Sequence, residues 1–382
     1  MMNKISKGWE KYYLSDCFNT ISIKNKIKTK DYLPQGKFPI IDQGQDFISG
    51  YSNDENLLIK VKKPIIIFGD HTRCFKFINF DFIAGADGIK ILEPKDNFNE
   101  KLFYYFCQIL DFPNKGYSRH FQYLKKAIIN FPKNLSEQKA IADKLDDSFA
   151  KIENAITNLI NAKENLKLYK QSVLKPAFNG DLLPNTSPAH WEVKKLGEIC
   201  EITMGQSPKG ENVFENSQSL NGLEFHQGKI CFTDKFISKS KFITSDIRKI
   251  AEVGSILLCV RAPVGIINLT ERKIAIGRGL CALKANNQNN NFLYYYLLGL
   301  KQYFESKATG STFSAITLNI VKNCEIPLPP LSEQNLIVAE IDRRFAIVDK
   351  TLNLIDKSIQ NAKNLKQSIL KKAFSGELRS EI

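Results

Sequence analysis

The chain has 382 residues, 43% hydrophobic and 25% charged. That is enough apolar material for two or three buried cores, and it excludes disorder as a description of the whole chain. Lys and Arg number 54 against 40 Asp and Glu, a net charge of +14, which favours polyanionic partners.

The opening residues, Met1 to Lys7, lack the apolar run of a signal peptide. The longest apolar stretch, Phe292 to Leu300, is too short to span a bilayer. None of the eight cysteines forms a Cys-x-x-Cys pair and the four histidines are scattered, so a zinc site is not expected. Most of the cysteines lie among apolar neighbours and read as reduced thiols of a cytoplasmic protein with no membrane role.

The first block, residues 1–134, carries short β-like runs at Phe38–Ile41 and Pro64–Phe68, and an aromatic helix-like stretch from Leu102 to Leu110. Its loops hold groups suited to DNA: Gln43 and Gln45 around a glycine, Arg73 after Gly69-Asp70-His71-Thr72, and Arg119, His120 and Gln122 after Gly116-Tyr117-Ser118. Arginine pairs with guanine edges, glutamine with adenine edges, and lysine with phosphates. Asp70-His71 resembles a general base with its orienting carboxylate, but no nucleophile motif accompanies it.

A helix is predicted from Leu135. Apolar residues recur in steps of three and four at Ile141, Leu145, Phe149, Ile152, Ile156, Leu159, Leu166 and Val173, a coiled-coil seam. Ser136 is read as its N-cap, and Gly180 marks its end. Pro176 is expected to bend it. With about 40 residues it is roughly 60 Å long, too long to be buried in one small domain.

The second block, residues 184–330, repeats the pattern. It has a β-like run at Ser255–Val260 and the aromatic stretch from Phe292 to Leu300. Its candidate DNA-binding residues are Gln206, Ser207, Lys209, His226, Gln227, Arg261, Arg278 and Thr312. Gly277-Arg278-Gly279-Leu280-Cys281-Ala282 fits a dinucleotide fingerprint in isolation, but lacks a convincing strand–turn–helix context. A second helix then starts at Leu331, with Ser332 as its N-cap and Gly376 at its end. Its seam is Ile337, Ile341, Phe345, Val348, Leu352, Ile355, Ile359, Ala362 and Ile369.

The chain is a duplication. Leu135-Ser136-Glu137-Gln138 recurs as Leu331-Ser332-Glu333-Gln334. With the same offset of 196, Lys170-Gln171-Ser172-Val173-Leu174-Lys175-Pro176-Ala177-Phe178-Asn179-Gly180 recurs as Lys366-Gln367-Ser368-Ile369-Leu370-Lys371-Lys372-Ala373-Phe374-Ser375-Gly376. Trp9-Glu10 is echoed by Trp191-Glu192, and Gln43-Gly44 by Gln227-Gly228. Residues 135–183 are electrically neutral and 331–382 carry +2, so +12 lies on the two globular blocks. The nearest partner for each long helix is its copy, packed antiparallel.

The tandem helix starts and ends, the two Trp-Glu openings, and the stretches Phe68-Gly69-Asp70-His71-Thr72 and Arg261-Ala262-Pro263-Val264-Gly265 together resemble the specificity subunits of type I restriction–modification enzymes. The resemblance covers nearly the whole chain. The stretch Asn216–Leu220 departs from it, lacking the Tyr-Gly often found after Ser-Pro. The resemblance implies an α+β protein with two tandem target-recognition domains (1–134 and 184–330). They are separated by two helical regions (135–183 and 331–382) packed as an antiparallel coiled coil with pseudo-two-fold symmetry. Such a subunit is non-catalytic and reads two halves of an interrupted double-stranded DNA site, asymmetric because the two blocks differ. Two modification (methyltransferase) subunits, which bind S-adenosylmethionine, and restriction (translocase/endonuclease) subunits join it, and this chain itself needs no cofactor. A subunit of a related system whose partner fuses modification and cleavage is the nearest alternative. A stand-alone nuclease or methyltransferase is disfavoured by missing motifs, and a coiled-coil scaffold by the basic blocks.

Overall fold

The computed structural model describes residues 7–85, 88–111, 118–184, 188–215, 222–310 and 314–378. The chain divides into two compact units, Met1–Ile160 with Asp356–Ile382, and Asn161–Ile355. The chain passes between them twice, each time inside one of two 45-residue helices, Leu135–Asn179 and Leu331–Ser375.

In unit 1 the strand Ile65–Gly69 is buried along its whole length. It lies between Ile89–Pro94 and Phe75–Ile78 in a four-stranded sheet completed by Phe18–Ile21. A second sheet runs Gly50–Ser52, Phe38–Ile41, Phe82–Ala84, Leu58–Ile59. Its inner pair is parallel, with Ile40 opposite Ile83. Unit 2 repeats this plan. Ile256–Cys259 lies between Leu280–Ala285 and Ile267–Leu269. Leu223–His226 pairs in parallel with Ile274–Ile276, with Phe225 opposite Ala275. Continuous apolar runs suit strands buried on both faces. The aromatic helices are Glu100–Cys107 and Asn290–Leu298, N-capped by the side chains of Asn99 and Asn289.

Each unit contains the start of one long helix and the end of the other, lying antiparallel. In unit 1, Ile141, Leu145, Phe149 and Ile152 share a core with Leu370, Ala373 and Phe374. Lys366 bonds Glu153 at 2.7 Å and sits 5.0 Å from the Phe149 ring centre. In unit 2, Val173, Leu174 and Ala177 share a core with Ile337, Val338 and Ile341. There Lys170 bonds Asp349 and sits 5.0 Å from the Phe345 ring centre. Ile141, Leu145, Phe149, Glu153, Lys366, Leu370 and Ala373 correspond at an offset of 196 to Ile337, Ile341, Phe345, Asp349, Lys170, Leu174 and Ala177, so the repeat is largely one of contacts as well as of letters.

The repeated helix starts have a structural explanation. Gln138 is buried. Its Nε2 donates to the carbonyls of Asn97 (3.0 Å) and Pro132 (2.8 Å), and its Oε1 accepts from the Asn99 N–H (2.6 Å). Gln334, also buried, donates to Gln288 Oε1 (2.7 Å) and Pro329 O (2.8 Å) and accepts from the Asn289 N–H (3.0 Å). Each glutamine thus ties a long helix to the capped end of an aromatic helix. The preceding Glu137 and Glu333 each accept the indole N–H of Trp9 or Trp191 at 3.0 Å.

The serine N-caps expected from the sequence are corrected. Asn134 Oδ1 accepts from the Ser136 N–H at 2.8 Å, and the Pro330 carbonyl accepts from the Gln334 N–H at 3.0 Å. Ser136 and Ser332 therefore lie inside their helices, one residue past the start. Gly180 and Gly376 do end them, with φ of 80° and 82°. The first helix runs on through Pro176, which occupies the last turn, where little of the backbone ladder remains to be broken. Asn216–Leu220 lie outside the described residues.

Candidate nucleic-acid interface

In unit 1 the expected residues gather at one corner of the sheets. The buried strand Ile65–Gly69 ends in Asp70, whose N–H donates to Gly88 O (2.6 Å) and whose carbonyl accepts from the His120 N–H (2.9 Å). Asp70 Oδ1 accepts from the Phe121 N–H at 2.7 Å, anchoring the short helix Phe121–Lys126. Asp70 is therefore a buried brace rather than a base partner. Gln43 joins this corner: its Oε1 accepts from the His71 N–H at 3.2 Å, and its carbonyl accepts from Thr72 Oγ1.

The Gln43 turn is rigid. Asp42 Oδ1 accepts from the Gly44 N–H (2.7 Å) and Ser49 Oγ (2.6 Å), while the buried Lys76 Nζ donates to the carbonyls of Asp42 and Asp46. Burial pushes the Lys76 ammonium below its ordinary range, against the opposing pull of Asp42. Gln45, Arg119 and Gln122 are exposed, while Gln43 and Arg73 are half-buried. Arg73 takes a left-handed φ of 62°. His120 is a correction. Its ring is fully buried, with Nδ1 3.0 Å from Asp70 O, so it braces the loop from behind instead of standing on the surface. Lys90 and Lys125, passed over in the sequence, sit 5.6 and 4.9 Å from the Phe121 ring centre beside this loop.

In unit 2, three backbone segments meet without room for side chains. A Cβ on Gly279 would lie 2.2 Å from Gln227 O, and one on Gly205 2.2 Å from Gly277 O. This close approach accounts for the Gly277-x-Gly279 spacing. The segment joins two strands, Ile274–Ile276 and Leu280–Ala285, with no helix after it, so no dinucleotide fingerprint exists here. The Val260 N–H donates to Gly279 O (2.9 Å), the Ile316 N–H to Val260 O (3.0 Å) and the Arg278 N–H to Ser207 Oγ (3.4 Å).

Around this junction Gln227, Arg261 and Arg278 line one open cleft of about 300 Å³, together with Lys229. Lys229 was missed in the sequence, although it immediately follows the repeated Gln227-Gly228. Gln206 is exposed and lines a separate shallow depression with Phe225 and Arg248. Ser207 is half-buried in its bond to Arg278, and Lys209 is exposed.

His226 is the second correction. It is buried, with Nε2 2.7 Å from Glu224 Oε1, and Glu224 also receives Arg272 Nε and Nη2, each at 2.6 Å. The cue was present, because residues two apart on a strand share a face. Burial alone would raise the Glu224 carboxyl, but Arg272, the Ser240 N–H and His226 hold it down, to about 2. Burial pushes the His226 imidazole down. Thr312 lies outside the described residues, as do Gly116, Tyr117 and Ser311.

Two α+β units of like topology, each holding half of two long antiparallel helices and each presenting a braced loop corner with basic residues, define the architecture of a DNA-specificity subunit. The sequence profile described as "Type I restriction modification DNA specificity domain" matches residues 6–162 and again 188–362. The chain belongs to the type I restriction–modification DNA-specificity family.

Among its relatives, a specificity subunit assigned to the type I restriction enzyme MjaX of Methanocaldococcus jannaschii is 31% identical over 258 residues, covering 64% of this chain and 58% of that one. The type I restriction enzyme EcoR124I/EcoR124II specificity subunit of Escherichia coli is 25% identical over 359 residues, 88% of this chain and 86% of that one. Among solved structures, one from a study of complex assembly and conformational transition of the type I R-M system aligns with a TM-score of 0.74 and 25% identity. It covers 98% of this chain and 100% of that one. The HsdS subunit from Thermoanaerobacter tengcongensis aligns with a TM-score of 0.59 and 25% identity, over 98% of each chain.

Among the described residues no helix is long and apolar enough to cross a membrane.

Proposed function

We propose that this chain is the non-catalytic reader of an interrupted, asymmetric double-stranded DNA site in a cytoplasmic type I restriction–modification complex. Residues 1–134 and 184–330 act as target-recognition domains, and 135–183 with 331–382 as the helical spacer. Two modification subunits, carrying S-adenosylmethionine, dock on this subunit, and restriction subunits join them. The chain itself takes no cofactor.

The observation that carries this reading is the pairing of internally repeated support with divergent surface. Gln138 and Gln334, Trp9 and Trp191, and the Lys366 and Lys170 pairs repeat contact for contact. Beyond the repeated Gln43 and Gln227, the loop corners between them carry different side chains: Gln45, Arg119 and Gln122 in one unit, Gln206, Lys209 and Lys229 in the other. A common frame with two different reading faces suits two different half-sites.

Mapping methylated bases in DNA modified by the complex tests this. The expected result is a two-part site with unlike halves. A continuous or palindromic site would overturn the reading. A single partner chain carrying both methylation and cleavage would assign the chain to the related fused system.

A further inference from the structure

Arginine is the side chain best shaped to read guanine, because its planar fork matches the O6 and N7 acceptors on the major-groove edge. An arginine already held by a carboxylate is not available for that task. In unit 2, Arg248 is bound to Asp246 (2.6 Å), Arg272 to Glu224 (2.6 Å), and Arg343 and Arg344 to Glu340 (2.8 and 2.7 Å). Among the described residues of this unit, the arginines without a carboxylate partner are Arg261 and Arg278. Both are exposed, and both line the same cleft, which has no acidic residue in its wall.

Their backbones are fixed. Arg261 follows the buried strand Ile256–Cys259 and is bridged to Ala315, while the Ala262 N–H donates to Ser314 O at 3.0 Å. Arg278 stands between the two close-packed glycines, and its N–H is held by Ser207. Reading a base requires a side chain projected from a rigid base, whereas a phosphate contact tolerates a loose one. Lys229, on the exposed one-turn segment Lys229–Cys231 at the cleft rim, has the chemistry and setting of a phosphate contact.

We propose that Arg261 and Arg278 are specificity-determining residues that each read the guanine of a G·C pair in the half-site recognised by residues 184–330. This rests on the reading of the chain as a DNA-specificity subunit.

The test uses the full-length chain assembled with its modification subunits, as wild type, R261A and R278A, on DNA libraries varied at every position of the site. Exchanging residues 184–330 for the block of a relative identifies which half-site belongs to this unit. Each variant should lose about ten- to a hundredfold of its preference at one G·C position in that half-site, and leave the other half-site unchanged. Three results would overturn the pair's role: equal weakening on all sequences with a salt dependence shallower by about one counterion, a half-site without G·C pairs, or no change. A wild-type complex that modifies no two-part site would instead overturn the reading of function.

Discussion

At the scale of single residues, the glutamine of each Leu-Ser-Glu-Gln start does more than the sequence pattern indicates. Gln334 has both ends of its amide satisfied inside a buried joint. Replacing it with alanine strands a backbone N–H and a carbonyl, at a cost of about 2 kcal/mol. Q334A should therefore melt several degrees lower, and a Tm equal to wild type would remove the joint from the account. The Glu224–His226–Arg272 cluster makes stability pH-dependent. The Glu224 carboxyl, about 2 when folded against an ordinary 4.5, contributes stability that is complete above about pH 4.5 and is lost as pH falls towards 2. His226 acts in the same direction, because its depressed imidazole is neutral when folded, and stability drains as pH drops below its ordinary 6.5. E224Q should flatten the loss below pH 4.5 in a series of melting curves. An unchanged slope would show that other carboxylates dominate. His120 and His226 were both expected on the surface, and only packing reveals that His120 braces its loop from behind while His226, at the end of its strand, is held inward by Glu224.

At the scale of elements, the two long helices differ along their seams, the second keeping Val348 and Ile355 buried near its middle. Ile141, Leu145 and Phe149 are buried in the hydrophobic core of their globular unit, as are Ile337 and Ile341 in the other unit. Ile156, Leu159 and Leu166 are half-buried, as a two-helix seam allows. The paired lysines, Lys170 and Lys366, are partly exposed ion pairs worth about 1 kcal/mol or less each, so they specify register more than they add stability. Under the proposed function, with the chain passing between the units only within these helices, their length is expected to set the gap between half-sites. Inserting four residues into both helices adds about 6 Å of rise, which should lengthen the gap by about two base pairs. Methylation mapping of the variant gives the new gap, and an unchanged gap would show that the helices do not set it.

At the scale of the whole molecule, the two units are separate bodies with separate cores and separate loop corners. Exchanging residues 1–134 for the block of a relative should change one half of the methylated site and leave the other intact. The Trp9–Glu137 bond and the Gln138 joint must be preserved for the graft to fold. If both halves changed together, the modular reading would fail.

The sequence alone determined the duplication, the helix positions and the segregation of charge. These are one-dimensional patterns: an exact offset, a three-four periodicity, and a count of ionised groups. The buried runs around Ile65 and Ile256 and the aromatic helices were legible for the same reason, since uninterrupted apolar stretches bounded by turns have few other fates. Only the tertiary structure decided which loop side chains face outward, which arginines are left without a carboxylate, and why Gly205, Gly277 and Gly279 are required. Those answers depend on segments distant in sequence meeting within a few ångströms. The cleft around Arg261 and Arg278 exists because a strand end and a glycine-flanked turn arrive at the same corner. No local property of either segment encodes that meeting.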